Sequence, residues 1–165
     1  KVKNEMVDAL NKQITQELTA SYAYLAMSLY MEAEHLPGFA TWMNLQSEEE
    51  RAHARIIIDY VNDRSGLVVL ESIPKPAYSF NSVREVFEVA LGHEKANTVS
   101  INNLYQLAKE IDDYTTQAKL QWFLAEQVEE EKTVVDILGQ LRLADSDPSA
   151  LLYLDRTMAA RGAAT

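Results

Sequence analysis

The sequence has no cysteine, only five glycines and four prolines, and no long hydrophobic run. Without cysteine, the chain can form no disulfide, iron–sulfur cluster or zinc–thiolate site. No apolar stretch approaches the roughly 18 residues needed to span a bilayer, so no membrane partner is expected. The lack of cysteine and of a secretory signal predicts a cytoplasmic location, although the start at Lys1 leaves a removed N-terminal targeting segment open.

Basic residues are scarce as well, since 15 lysines and arginines stand against 25 aspartates and glutamates, for a net charge of −10. This surplus of acid argues against nucleic acid as a partner, because its phosphates would be repelled. The surplus is compatible with the binding of cations, and equally with a surface that is merely well solvated.

What the sequence does contain is long amphipathic runs, with apolar residues at three- and four-residue intervals. This pattern predicts an all-α protein. The 165 residues, of which 47% are apolar, suffice for a single domain with a substantial core over residues 1–165. Five helices are predicted, over about residues 5–34, 39–65, 83–111, 114–143 and 148–160.

Local signals predict where these helices begin and end. Asn4 is expected to cap the first helix, and Gly66 to follow the second as its C′ residue. Ser82 and Glu85 have the spacing of a capping box, which would open the third helix. Asp147, followed by a proline, is expected to cap the fifth helix.

The connections predict how the helices are arranged. Residues 67–81 contain two prolines and a Val-Val-Leu run without an evident partner strand, so they are interpreted as a long crossover. A connection of this length can traverse a bundle, which would make the second and third helices parallel. The short fifth helix carries more apolar surface than an isolated tail should, so it must pack within the subunit or between subunits.

Polar side chains that can bind metals interrupt the apolar stripe of every long helix at about mid-height. In chain order they are Glu17, then Glu50 with His53, then Glu94, then Gln127 with Glu130. A lone glutamate on such a stripe is more often a hydrogen-bonded buried acid, but burying several unpaired carboxylates would cost several kcal/mol each. Polar ligand-type residues at the same height on all four long helices therefore favour a cation that they share. A set of carboxylates with one imidazole suits iron.

Four further residues adjoin this cluster. Tyr24 lies two turns beyond the acid of the first helix, where it would hydrogen-bond a ligand, donate an electron, or simply be a core tyrosine. Glu126 and Glu129 form a pair one position off the stripe of the fourth helix, and Glu49 occupies the equivalent position on the second. Each acid alone would fit a solvated face, whereas together they would form a second, oxygen-only site.

The chain resembles the ferritins, and specifically the bacterial non-haem type, over essentially its whole length. Four runs carry this resemblance: residues 16–18 with Tyr24, residues 48–53, residues 94–97 and, most specifically, residues 121–131. The resemblance implies a ferritin-like four-helix bundle with a long crossover and a short fifth helix. It also implies a homo-oligomeric shell of 24 subunits that stores ferric mineral, with the fifth helix near the four-fold axes.

The same resemblance implies the roles of the site residues. One iron would be held by Glu17, Glu50 and His53, and the other by Glu50, Glu94 and Glu130, with Gln127 alongside. A third iron would be held by Glu49, Glu126, Glu129 and Glu130. Catalysis would rest on the ligands of the first two irons. The position of Tyr24, rather than the resemblance, makes it a candidate one-electron donor.

The chain differs from related types in the ferritin superfamily at several positions, and these differences favour the bacterial non-haem type. Bacterioferritins and rubrerythrins carry Glu-x-x-His on two helices, whereas the fourth helix here has Gln127-x-x-Glu130. Arg51 stands where bacterioferritins carry their haem methionine, so no haem is expected. Animal heavy chains place pore acids and nucleation glutamates where this chain has Gln117, Leu120, Ala52 and Arg55, so iron entry and nucleation by those routes are not expected.

Three interpretations of the cluster follow. The favoured one is a ferroxidase, in which two Fe(II) ions bind the carboxylates and lose electrons to dioxygen or hydrogen peroxide. The second is a bundle that sequesters iron or another cation without turnover. The third is a di-iron bundle that oxidises an organic substrate, such as a hydroxylase. Oxygen consumption on adding Fe(II) separates the first from the second.

Overall fold

Five helices make up the fold of the computed structural model over residues 2–161, the part of the chain that the structure describes, and no strand occurs in that range. They are α1 (Asn4–Ala33), α2 (Pro37–Asp63), α3 (Val83–Glu110), α4 (Tyr114–Ala144) and α5 (Pro148–Ala159). The predicted all-α class is confirmed, with helix ends within about two residues of expectation. The largest difference is at α2, which begins at Pro37 because proline suits the first helical turn.

Two of the predicted capping positions are wrong by one residue. Asn4 lies inside α1, and the cap position falls to Lys3, whose ammonium group instead donates to the Ile111 carbonyl 2.7 Å away. At the end of α2 the left-handed residue is Ser65, with φ of 58°, rather than Gly66. The Gly66 N–H reaches back to the Val61 carbonyl, and a side chain at position 66 would crowd Val61. The glycine therefore serves close packing, and Ser65 adopts the strained conformation.

The other predicted caps are confirmed. The Ser82 hydroxyl accepts the Glu85 N–H at 3.1 Å, while the Glu85 carboxylate accepts the N–H of Asn81, one residue earlier than a capping box requires. The Asp147 side chain accepts the Ser149 N–H at 2.9 Å.

The connection between α2 and α3 is a long crossover, as predicted, and it runs along α1. Near its start, the Asn11 side chain bonds the Leu67 carbonyl at 2.9 Å and the Val69 N–H at 3.1 Å. Near its end, the Phe80 ring meets the Tyr30 ring at 5.2 Å. Asn11 and Tyr30 are 19 residues apart on α1, which corresponds to about 28 Å of helix. The chain therefore returns along the bundle before α3 begins, and α2 and α3 run parallel.

Two apolar cores fill the bundle. Core A lies at the α5 end and includes Tyr24, Met27, Met31, Phe39, Trp42, Met43, Phe87, Val134, Leu138 and Met158. Core B lies at the opposite end and includes Met6, Leu10, Ile14, Ile57, Val61, Ile101, Leu104, Leu120 and Phe123. Each long helix contributes to both cores, so the residues between them lie at the middle of the bundle.

The short helix α5 packs against α2 and, less extensively, against α4. The Asp155 carboxylate accepts the Phe39 N–H at 2.8 Å, and Met158 is buried in core A. A methyl group at Gly38 would collide with the Asp155 carbonyl, so glycine is required for this close approach. These contacts fix α5 within the subunit. Among residues 2–161, no helix has the length and apolar character that crossing a membrane requires.

Candidate metal centre

A buried polar layer separates the two apolar cores. Each long helix contributes to it at the point where its stripe passes from one core to the other. On α1, for example, Glu17 lies between Ile14 of core B and Tyr24 of core A. All members of the layer are buried: Gln13, Glu17, Gln46, Glu50, His53, Glu94, Asn97, Gln127 and Glu130. The structure thus brings together the residues predicted from the four stripes.

The first group in this layer consists of Glu17, Glu50 and His53, each of which offers a ligand atom within 4.8 Å of the others. His53 Nδ1 lies 3.3 Å from Glu50 Oε2 and 3.9 Å from Glu17 Oε2. None of these three buried atoms has a hydrogen-bond partner within the described chain. Buried polar atoms nearly always have a partner, so three facing orphans indicate space for a cation.

The second group shares one member with the first. Glu50, Glu94 and Glu130 offer oxygens that lie within 4.8 Å of one another. Burial, followed by the charges of Glu94 and Glu17, raises the pKa of Glu50 well above its usual value. Burial, with the charges of Glu94 and Glu49, raises the pKa of Glu130 to about 9. Both shifts arise because like charges are confined away from water, and a bound cation would reverse them.

The chain is similar to known proteins over most of its length. A family model described as the ferritin-like domain matches residues 7–144. The chain belongs to the ferritin family. It is 40% identical to the bacterial non-heme ferritin of Staphylococcus epidermidis and 35% identical to that of Staphylococcus aureus; the matches cover 95% and 94% of each chain.

Solved structures give the same result. The structure described as a novel open pore ferritin from the hyperthermophilic archaeon Archaeoglobus fulgidus superposes with a TM-score of 0.97. It is 39% identical to this ferritin, and the match covers 98% of this chain and 99% of that one. The predicted family and bundle architecture are therefore both confirmed.

Neutral amides orient the carboxylates of this ferritin. Gln46 Nε2 donates to Glu50 Oε1 at 3.0 Å and to Glu130 Oε2 at 2.9 Å, which ties α2 to α4 across the layer. Gln13 Nε2 donates to Glu17 Oε1 at 3.0 Å. Each of these carboxylates keeps a second oxygen that the amide does not engage. Such outer partners hold metal ligands in position without taking up their free oxygens.

Gln127 belongs to the same hydrogen-bonded network. Its amide nitrogen donates to Glu94 Oε2 at 3.3 Å, and its amide oxygen accepts from Asn97 at 3.1 Å. Asn97 in turn accepts from Gln13 at 2.6 Å, so the network links α4 to α1 through α3. In this arrangement Gln127 positions Glu94, and its role as a direct metal ligand remains a prediction.

Tyr24 is buried at the border of core A, and its hydroxyl donates to Glu94 Oε1 at 2.6 Å. Burial, followed by the negative charge of Glu94, raises the pKa of Tyr24 well above its ordinary value. The phenol is therefore neutral at physiological pH. Of the three roles open to this tyrosine, the structure provides the hydrogen bond to a candidate ligand, and electron donation remains a prediction.

A third group lies towards the surface between α2 and α4. This lateral group consists of Glu49, His53, Glu126 and Glu130, whose ligand atoms lie within 4.8 Å of one another. It borders a cleft of about 260 Å³, which is also lined by the exposed Glu129. Glu129 thus faces the cleft but lies outside the group, and the buried His53 is a member that the sequence did not indicate.

Several residues around the site were missed by sequence reasoning. Gln46 and Asn97 lie on the same stripes as the candidate ligands, and Gln13 lies one turn before Glu17, so their spacing was a usable signal. Arg161, which also lines the lateral cleft, follows α5 and has no such signal. Its position depends on how α5 packs against the bundle.

Proposed function

We propose that this ferritin oxidises Fe(II) to Fe(III) at the buried centre formed by Glu17, Glu50, His53, Glu94 and Glu130, and stores the ferric product. The observation that carries this proposal is the set of three unpartnered buried atoms, Glu17 Oε2, Glu50 Oε2 and His53 Nδ1. Leaving such atoms unpaired costs about 1–3 kcal/mol each, and more when they are charged. A cation between them would satisfy all three at once.

Charge balance supports two ions rather than one. The buried centre contains four carboxylates and one imidazole, so two divalent cations would neutralise it. One ion would be bound by Glu17, Glu50 and His53, and the other by Glu50, Glu94 and Glu130, with Glu50 common to both. Oxygen-rich ligands with a single imidazole suit iron and leave coordination positions open.

The substrates supply the redox chemistry of the proposed reaction, and the protein supplies the binding site. Each Fe(II) loses one electron to dioxygen or hydrogen peroxide, which supplies the redox chemistry. The protein holds the ions and orients their ligands through Gln46 and the hydrogen bond from Tyr24 to Glu94. Because burial raises the pKa values of Glu50 and Glu130, these carboxyls would release protons when the ions bind.

The ferric product would be stored inside a closed shell of 24 copies. Large apolar side chains are exposed on α1 and on the crossover, among them Leu29 at 61% and Tyr78 at 68%. A closed symmetric assembly would cover such surfaces. Sedimentation under mild conditions should show a particle many times the 18.6 kDa of the chain, and monomers or dimers alone would contradict the storage role.

A third, weaker iron position is proposed at the lateral group with Glu129 nearby. This group is more open than the buried centre and shares His53 and Glu130 with it. It would tune the stoichiometry and turnover of the reaction rather than begin it.

Oxygen uptake tests the proposed function. Fe(II) is added without oxygen at two ions per chain, and oxygen is then admitted while its consumption is recorded. The parent protein should consume oxygen rapidly as ferric product forms. A protein that binds Fe(II) tightly but consumes no oxygen beyond a protein-free control would be a sequestering bundle instead.

A further inference from the structure

Arg161, in the turn that follows α5, reaches into the lateral cleft. Its Nη2 lies 2.6 Å from Glu49 Oε2, and its Nη1 donates to the Trp42 carbonyl at 3.2 Å. The guanidinium carbon also lies 4.6 Å from the centroid of the Trp42 ring. An ion pair, a backbone hydrogen bond and a cation–π contact thus hold one side chain in one orientation.

The charged residues around this arginine are almost all acidic. Four glutamates line the cleft, namely Glu49, Glu126, Glu129 and Glu130, and Arg161 is the one basic residue among its described lining residues. A guanidinium stays protonated at any physiological pH. Arg161 is only 26% exposed and Glu49 only 36%, so their attraction is less screened than that of a pair in open solvent. The cleft therefore already contains a tethered cation.

The position of this cation depends on α5 rather than on the cleft itself. Asp155 fixes the helix to the N-terminus of α2, and Gly38 allows the two backbones to meet. Met158, one turn before Arg161, is buried in core A. The contacts of Asp155, Gly38 and Met158 fix the position of α5, and this position places Arg161 beside Glu49.

We propose that Arg161 is a competing internal cation, which must release Glu49 before a metal ion can occupy the lateral group. Arg161 would thereby weaken metal binding at that group while leaving the two ions of the buried centre unaffected. The inference rests on the proposed function, because it takes the lateral group to be a metal position. It explains how adjacent acidic sites that share His53 and Glu130 could fill in a fixed order.

Calorimetric titration of the assembled protein with Zn²⁺, which undergoes no redox reaction, tests the proposal. The parent should show two tight sites per chain and a weaker third one. Arg161→Gln should tighten the third site by about two- to fivefold and leave the tight pair unchanged. The matched control is Arg156→Gln, which removes the same charge from an exposed position on α5 outside the cleft. Glu49→Gln should abolish the third site.

Structures of the parent with saturating Zn²⁺ provide a second readout. Glu49 should then contact the ion, and the guanidinium of Arg161 should have left it. Equal third-site affinities in Arg161→Gln and Arg156→Gln, or the absence of a third site from every variant, would overturn the proposal. If the parent protein showed no tight sites, the proposed function would be contradicted instead. The third-site affinities of Arg161→Gln and Arg156→Gln would still decide the role of Arg161.

Discussion

The buried centre and the lateral group use the same residue types and share His53 and Glu130, but they balance charge in different ways. In the buried centre, four carboxylates face one another among neutral amides, and three atoms have no partner within residues 2–161. In the lateral group, Glu49 is partly exposed and already paired with Arg161. Under the proposed function the buried centre would bind external cations, whereas Glu49 of the lateral group already has an internal cation as its partner. This difference predicts tight binding in the first and weak, exchangeable binding in the second.

Removal of Glu50, which the proposed function makes a ligand of both ions, should have the largest effect. Glu50→Ala should slow the first phase of Fe(II) oxidation by more than about 100-fold, beyond the range seen when an outer partner is lost. The protein should still fold, because the remaining acids can protonate when no ion is bound. Stopped-flow absorbance of the ferric product provides the measurement.

The control for this variant is Glu48→Ala, which alters a neighbouring exposed glutamate on the same helix. It should oxidise iron at the parent rate. If Glu50→Ala also kept the parent's initial rate, the oxidation site would lie elsewhere.

Loss of an orienting amide should have an intermediate effect. Gln46→Met keeps the length of the side chain but removes the donor to Glu50 and Glu130. Zn²⁺ affinity at the tight sites should fall by about 10- to 100-fold, because both carboxylates lose their fixed direction. Titration calorimetry measures this change, and an unchanged affinity would show that packing alone orients the two acids.

The pH dependence of stability should differ between metal-free and metal-loaded protein. Burial, with the charges of Glu94 and Glu49, raises the pKa of Glu130 from 4.5 to about 9 in the folded metal-free protein. The folded state therefore holds a proton that the unfolded chain has lost, and stability declines as pH rises from about 4.5 to about 9. Thermal midpoints of metal-free protein should accordingly fall across pH 5–9.

Two comparisons assign that decline to the buried carboxyls. Glu130→Gln should make the pH profile less steep, since an amide does not titrate while Glu50 still does. The exposed-site variant Glu48→Gln should keep the parent's slope. Saturating Zn²⁺ should reverse the slope, because the ion displaces protons and binds more tightly as pH rises. A metal-free protein that became steadily more stable between pH 5 and 9 would contradict the raised pKa.

The smallest effects should come from the lateral acids, and the structure ranks them. Glu126 belongs to the lateral group, whereas Glu129 only lines the cleft. Glu126→Ala should therefore weaken the third Zn²⁺ site several-fold more than Glu129→Ala does. Both variants, like Glu49→Ala, should keep the first oxidation phase near the parent rate while they change the iron oxidised per oxygen. If Glu129→Ala had the larger effect on the third site, the membership of the group would need revision.

Much of the centre was predictable because a helix with a fixed period leaves little freedom. Once Ile14 and Tyr24 face the core, Glu17 between them must face it too. The same reasoning on the other three helices placed all five residues of the buried centre in one layer, and the structure brings them together. The crossover was predictable from its length and its two prolines.

Other features depended on tertiary contacts that a pattern cannot encode. Which way the Gln127 amide points depends on Glu94 and Asn97, which lie on another helix. The left-handed residue after α2 is Ser65, and the glycine at position 66 instead leaves room for the Val61 side chain. The contact of Arg161 with Glu49 joins residues 112 positions apart and depends on how α5 docks.

Anomalous diffraction from crystals soaked in Fe(II) without oxygen tests the central claim, that the buried layer holds two metal ions, most directly. We predict two iron peaks per chain, one among Glu17, Glu50 and His53 and the other among Glu50, Glu94 and Glu130. Any third peak beside Glu49 should be weaker. Iron at the lateral cleft alone, or an empty buried layer at Fe(II) concentrations that saturate the protein in solution, would contradict the claim.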